Sequence, residues 1–357
     1  MNRRDVLNAG GLAALTGLAC GRMAADNQSG KKTGRELLLS VNKQGDTVSF
    51  FDPADRHRIL AEVKMPTHPH EVMIDPKRRV AYVSIYGDGI YGNNTHPGHE
   101  VYILGLDSMK VTGVIEMAPL QATHAFAWGP NGTLLVACDK SNAVAVVDVD
   151  ERKVIGTIPT GTHGCHWVLS LPGGEKAYTS NKDTDYMSVL DPAAMKMVGK
   201  VPITNGTEGA CVTRDGKLLY AWDHKEPVLH VIDTRTDKVI GSKKVDGLPT
   251  VGPFIDHLAR VAVTPDGSKV LVSIFPSAKL VVLDAAKMSV LNILDLGRRP
   301  MGFAFPKGQS KAYVTNHDAG TISVVDLDKF EFFETFAASR KPVSGPETIA
   351  FFDAMEE

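Results

Sequence analysis

The residues of this sequence best equipped for chemistry are histidines, of which there are 12 among 357 positions. His70, His124 and His166 each stand near the start of a short apolar run, and Glu208 stands near the start of the next. Aligned on the turns that follow, the four share one equivalent position. Three imidazoles, neutral near pH 7, and one carboxylate make a ligand set suited to iron, copper or zinc. Calcium would want more oxygens. If the ligands stand too far apart for one ion, a haem or an organic ligand is the expected occupant. An imidazole beside Glu208 would also serve as general acid or base, because it titrates near neutral pH. His70, His124, His166 and Glu208 are therefore the expected catalytic and metal-binding residues. The same position in the remaining runs holds Ala259, Met301 and Glu347, with His257 two residues ahead of Ala259.

Residues so far apart in the chain meet only if a repeated element carries each of them. An aspartate closes an apolar run at Asp52, Asp107, Asp148, Asp191, Asp233, Asp284 and Asp326, and the spacings of 55, 41, 43, 42, 51 and 42 define a unit of about 42 residues with two insertions. Leu39, Leu135, Tyr178, Tyr220, Leu271 and Tyr313 stand 13 residues before six of these aspartates and open a second strand. Each unit reads as four short strands punctuated by Pro/Gly turns such as residues 265–267 (PDG). Four-stranded units of this length are propeller blades, none able to bury its face alone. The first unit lacks its innermost strand, and residues 346–352 (PETIAFF) supply one from the far end of the chain. The expected fold is all-β: a seven-bladed β-propeller of four-stranded blades, closed by three N-terminal strands plus one C-terminal strand. It makes residues 37–357 one domain, where length alone suggests two.

In a propeller the blade-to-blade connections and the loops between second and third strands share one face. His68, His70, His124, His163, His166 and His257 fall in or just after the connections, and His96, His99, His224 and His317 in or beside those loops. Only His57 and His230 lie elsewhere, so function is expected at the channel mouth of this face. The pairs that follow the second strands belong there too: Asn42-Lys43, Ile85-Tyr86, Cys138-Asp139, Asn181-Lys182, Asp223-His224, Ile274-Phe275 and Asn316-His317. Carboxylates among them could fix imidazole tautomers. His68, Tyr86, His163, His257, Arg299, Asn316, His317 and Glu347 are the expected ligand-binding residues, with Arg299 suited to a carboxylate or phosphate. The insertions at 86–98 and 246–256 are expected to form a lid. Cys165, between His163 and His166, offers a thiolate ligand, or a disulfide to Cys138.

Residues 313–326 (YVTNHDAGTISVVD) resemble the signature of the YVTN family of β-propellers, with weaker copies at 82–84 (YVS) and 178–181 (YTSN). That family includes the haem-d1 domain of nitrite reductase and its biosynthetic relatives. The resemblance spans about 310 residues and implies the propeller fold, while its members include binders and enzymes, so function does not follow from it. By analogy with the haem-d1 group, a channel-mouth histidine would be an axial haem ligand. No CxxCH is present to carry a c-type haem.

Residues 1–25 read as an export signal, with Arg3 and Arg4 ahead of a short small-residue stretch, and resemble a twin-arginine signal. Cleavage after Ala25 is expected, with lipidation at Cys20 as the alternative; residues 26–36 are a linker. The protein is thus expected in the periplasm or otherwise exported, and twin-arginine export weakly favours a bound cofactor. With 39 basic and 41 acidic residues and no basic run, nucleic acid is not an expected partner. The four cysteines form no CxxC pair, and neither GxSxG nor HExxH occurs. Two functions remain: a metal- or haem-dependent enzyme, oxidoreductase or lactonase/lyase-like, acting on a small molecule; or a non-catalytic periplasmic propeller that binds a ligand or protein. A monomer is expected in either case.

Overall fold

Seven antiparallel sheets of four strands each make up the computed structural model, which describes residues 35–89, 93–248 and 258–355. Blade 1 takes 36–64, and blades 2 to 7 take 69–116, 123–159, 165–202, 207–244, 259–295 and 300–337. Within blades 2 to 7 successive strands are hydrogen-bonded neighbours. Blade 1 is completed by Pro346–Asp353, which pairs with Glu36–Asn42 so that Leu38 faces Phe351 and Ser40 faces Ile349. Both ends of the ring are thereby locked into one sheet. This is a seven-bladed β-propeller. The expected export signal and most of the expected linker lie outside the described residues.

One apolar cluster fills each blade interface. Tyr220, Trp222 and Leu229 of blade 5 pack on Val261 and Val272 of blade 6, and Leu38 and Phe51 of blade 1 meet Tyr313 and Val324 of blade 7. Inner strands are covered on both faces, so Leu134–Cys138 is buried throughout. The outer strand Lys153–Pro159 largely alternates between exposed and partly covered positions. The repeated aspartates are turn braces: Asp148 accepts the backbone N–H groups of Asp150 and Glu151 at 3.0 and 2.9 Å, and Asp233, Asp284 and Asp326 repeat the pattern. Asp107 departs from it and pairs with Arg79.

The innermost strands carry the detail that shapes the site. In six blades the residue just ahead of the strand is left-handed: His68, Ala122, Gly164, Gly206, Arg299 and Gly345, with φ between 55 and 78°. A bulge follows at once, so two residues, such as His70 and Glu71, oppose one on the neighbouring strand. Blade 6 has no bulge: Ala259 faces Ile274 and Arg260 faces Ser273. Counting back from the turns puts Ala259 in the ring with the histidines. The missing residue instead gives that place to Arg260.

Candidate active site at the channel mouth

Two rings of seven side chains stack at the mouth. The inner ring comes from the start of the innermost strands, on a bulge in every blade but blade 6, and holds His70, His124, His166, Glu208, Arg260, Met301 and Glu347, all buried. The second ring follows the second strands and holds Lys43, Tyr86, Asp139, Lys182, His224, Phe275 and His317, also buried. Each second-ring residue donates its backbone N–H to the carbonyl of the residue ahead of an innermost strand, over 2.8 to 3.2 Å. The backbone thus sets both rings before any side chain takes part.

His124 is fully buried, with its ring centroid 4.2 Å from that of His70 and 3.9 Å from that of His166. Neither of its ring nitrogens has a hydrogen-bond partner. Among the described residues, ligand atoms of His70, Glu71 and His124 lie within 4.8 Å of one another. Glu71, the second residue of the blade 2 bulge, was not among the residues expected from the sequence. The four expected ligands are neighbours, but they divide. His166 faces Glu208 at 3.3 Å and Asp139 at 3.5 Å, forming a separate acid–base unit. Asp139 is held by Lys182 at 3.1 Å and by the Tyr86 hydroxyl, which donates to it at 2.8 Å.

Arg260 closes the ring from the opposite side. Its guanidinium lies 2.5 Å from Glu71 and 3.1 Å from Glu347, and 4.9 Å from the Trp167 ring centroid. Glu347 also meets His317 Nδ1 at 2.9 Å and His70 Nε2 at 3.6 Å. The local signal for Arg260 was a cationic residue at the start of an apolar strand. It was hidden because the count from the turn was one short.

Burial pushes the His70 pKa down to about 4, with the Lys43 charge acting in the same direction. His124 goes well below its ordinary value for the same reason, aided by its two histidine neighbours. His166 moves the other way: burial and Lys182 oppose its charge, but Glu208 and Asp139 outweigh them and raise it. Burial disfavours ionisation of Glu71, Glu208 and Asp139, yet Arg260 keeps Glu71 low and His166 with Lys182 keeps the other two low. Against burial, Glu347 is held well below the carboxylate range by facing His70, Lys43 and His317. The mouth therefore combines neutral imidazoles on blades 2 and 3 with ionised carboxylates and, on blade 4, an imidazole whose carboxylate neighbours favour its charged form.

The remaining expected residues spread out. Arg299 lines the mouth cleft with Lys43, Tyr86, Phe275 and Met301, and the cleft's free volume is about 20 Å³. His68 is on the rim, where its Nδ1 lies 3.0 Å from the Gly87 carbonyl, and His163 is exposed. His257 lies outside the described residues, as does most of the 246–256 insertion. Asn316 braces its own hairpin: its amide donates to Thr321 Oγ1 at 3.1 Å and Ser323 Oγ at 2.8 Å, as Asn42 does with Thr47 and Ser49. The described part of the 86–98 insertion pins Tyr86, whose carbonyl accepts the Asn94 amide at 2.9 Å. Cys138 and Cys165 are free thiols in the apolar interfaces of blade 3 with its neighbours. Burial pushes Cys138 up to about 12 and raises Cys165 well above the ordinary range, so Cys165 is a core thiol. His57, on the other face, stacks on Phe336 and lies 3.0 Å from the Tyr313 hydroxyl.

No protein-family model matches the sequence, and no curated protein matches it. Solved structures do. Kuenenia stuttgartiensis hydrazine synthase aligns with a TM-score of 0.64 at 18% identity, over 79% of this chain and 89% of that one. The periplasmic gluconolactonase PpgL of Pseudomonas aeruginosa gives 0.70 at 17% identity, over 90% and 99%. A functionally unknown protein of Desulfotomaculum acetoxidans gives 0.71 at 14% identity, over 89% and 99%. The likeness is one of fold. At these identities it carries the propeller and nothing about the residues of the mouth.

Proposed function

We propose that the protein is an exported, transition-metal-dependent enzyme that performs hydrolase- or lyase-like acid–base chemistry on a small molecule at the channel mouth. The observation behind this reading is His124, a fully buried imidazole with both ring nitrogens unbonded, beside the ligand atoms of His70 and Glu71. A buried polar atom left unsatisfied costs about 1–3 kcal/mol. Two imidazoles and a carboxylate suit zinc, iron or copper. Such an ion would supply a Lewis-acidic centre.

The other roles belong to the chain. His166 carries the proton, Glu208 and Asp139 hold it charged, and Lys182 and Tyr86 orient Asp139. Arg260 keeps Glu71 ionised and aimed. A haem does not fit: the cleft's free volume of about 20 Å³ is far below the roughly 300 Å³ at which pockets for drug-sized ligands begin. A gluconolactonase among the structural neighbours favours an enzyme of this kind. Export rests on residues 1–25 alone.

Elemental analysis of the protein purified from its native compartment tests the reading. Near-stoichiometric zinc, iron or copper is expected. His70→Ala and His124→Ala should lose the metal with circular dichroism unchanged, while His166→Ala should keep it and lose turnover of a lactone panel. A metal-free protein indifferent to all three substitutions would overturn the reading and leave the non-catalytic binding propeller.

A further inference from the structure

Lys43 is the exception among the buried charges of the mouth. Asp139 has Lys182 at 3.1 Å, Glu208 has His166 at 3.3 Å, and Glu71 and Glu347 share Arg260. Lys43 is 5% exposed, yet no carboxylate among the described residues lies within ion-pair distance of its ammonium. Its ammonium lies over the Tyr86 ring, 5.1 Å from the centroid. Glu347 and Glu71 act on it only at longer range, and a buried ammonium with no carboxylate in direct contact is costly.

Two further cations share its cleft. Arg260 is already committed to two carboxylates. Arg299 is held more loosely: its carboxylate partner, Asp318, is 3.7 Å away and 45% exposed, and the Arg299 side chain keeps 28% of its own exposure. The left-handed backbone at Arg299, φ 55°, is the conformation that precedes the bulge in blade 7. Phe275 and Met301 add apolar surface to the cleft, and the two carboxylates that also line it are already paired, Glu347 with Arg260 and His317 and Glu208 with His166. The free volume, about 20 Å³, admits a single small group, since one water needs roughly 10–15 Å³ by this measure.

We infer that the cleft receives an oxyanion head group, carboxylate or phosphate, held by Lys43 and Arg299, and that the substrate is a small organic anion whose remainder lies outside the cleft. The word substrate rests on the enzyme reading above; the anion site does not. Ammonium and guanidinium give the head group a point charge and a planar fork respectively, the usual division of labour in oxyanion recognition.

The test uses the full chain stripped of metal with a chelator, so that no bound ion can capture the anion. Acetate and inorganic phosphate are titrated separately by calorimetry and by thermal melting. Saturable binding of at least one, with a rise in Tm, is expected. Lys43→Met and Arg299→Gln should each weaken binding by about tenfold or more, and Lys43→Met should melt close to wild type without anion, because the buried ammonium it removes has no carboxylate in direct contact. Arg298→Gln, one residue away and not lining the cleft, should bind as wild type does. Should Lys43→Met fail to fold, the partly exposed Arg299→Gln carries the comparison. Absence of saturable binding in wild type, or wild-type affinity in both cleft variants, overturns the anion site. Neither result bears on metal content, so this inference and the enzyme reading fail separately.

Discussion

Two arcs of one ring use the same strand position for opposite purposes. On blades 2 to 4 the position holds His70, His124 and His166, whose rings lie about 4 Å apart between successive centroids. On blades 6, 7 and 1 it holds Arg260, Met301 and Glu347, with Lys43 and Arg299 beside them in the cleft. The first arc brings neutral donors together and leaves His124 unsatisfied. The second fixes charges, with Arg260 bridging carboxylates from blades 2 and 1 across the channel. A propeller repeat therefore specifies a slot, and the local backbone decides what the slot can reach. Where a bulge is present two residues share the slot; where blade 6 lacks it, one long arginine spans the mouth.

Breaking the charged arc should have the largest effect. Arg260→Met leaves Glu71 and Glu347 without their common counter-charge, and a loss of about 3–5 kcal/mol is expected in denaturant unfolding. The imidazole arc is next, through pH. Folding lowers the His70 pKa from 6.5 to about 4, so its contribution to stability is whole above pH 6.5 and is lost as pH falls toward 4. At about 1.4 kcal/mol per pH unit that is ~3 kcal/mol, seen as a steeper acid loss of unfolding free energy in wild type than in His70→Gln.

A smaller effect distinguishes the acid–base unit between the arcs. Asp139→Asn removes a charge that raises His166, so the His166 pKa should drop, as read from its imidazole NMR shifts. A raised pKa stabilises the fold below 6.5 and ceases to do so as pH rises through the folded value, so the variant should lose stability mainly on the acidic side. The smallest effect is expected outside the rings: Asn316→Ala, which removes a hairpin brace, should cost about 1 kcal/mol and leave metal content unchanged.

Much of the architecture was legible because the repeat is written in turn chemistry. Asp148, Asp233, Asp284 and Asp326 brace turns through contacts two or three residues away, and local contacts leave a periodic trace. The C-terminal strand was legible for the same reason, since 346–352 had no blade of its own. Part of the mouth was legible too: the second-ring residues follow the second strands at fixed spacing, and Asp139 does face His166, as a carboxylate there was expected to do. Glu71 and Arg260 were missed. A bulge adds one residue to a strand without marking the sequence, and a count by spacing is wrong by one wherever it is absent.

Sequence by itself determined the blade count, the closure of the ring and the face on which histidines gather, since all three follow from short-range periodicity. Only the tertiary structure decided which of those histidines meet. Grouping His70 and His124 with Glu71, pairing His166 with Glu208, and leaving Lys43 without a carboxylate in direct contact depend on side chains from different blades converging across a channel. Those distances are set by backbone bulges and ring closure, and no single stretch of chain contains them.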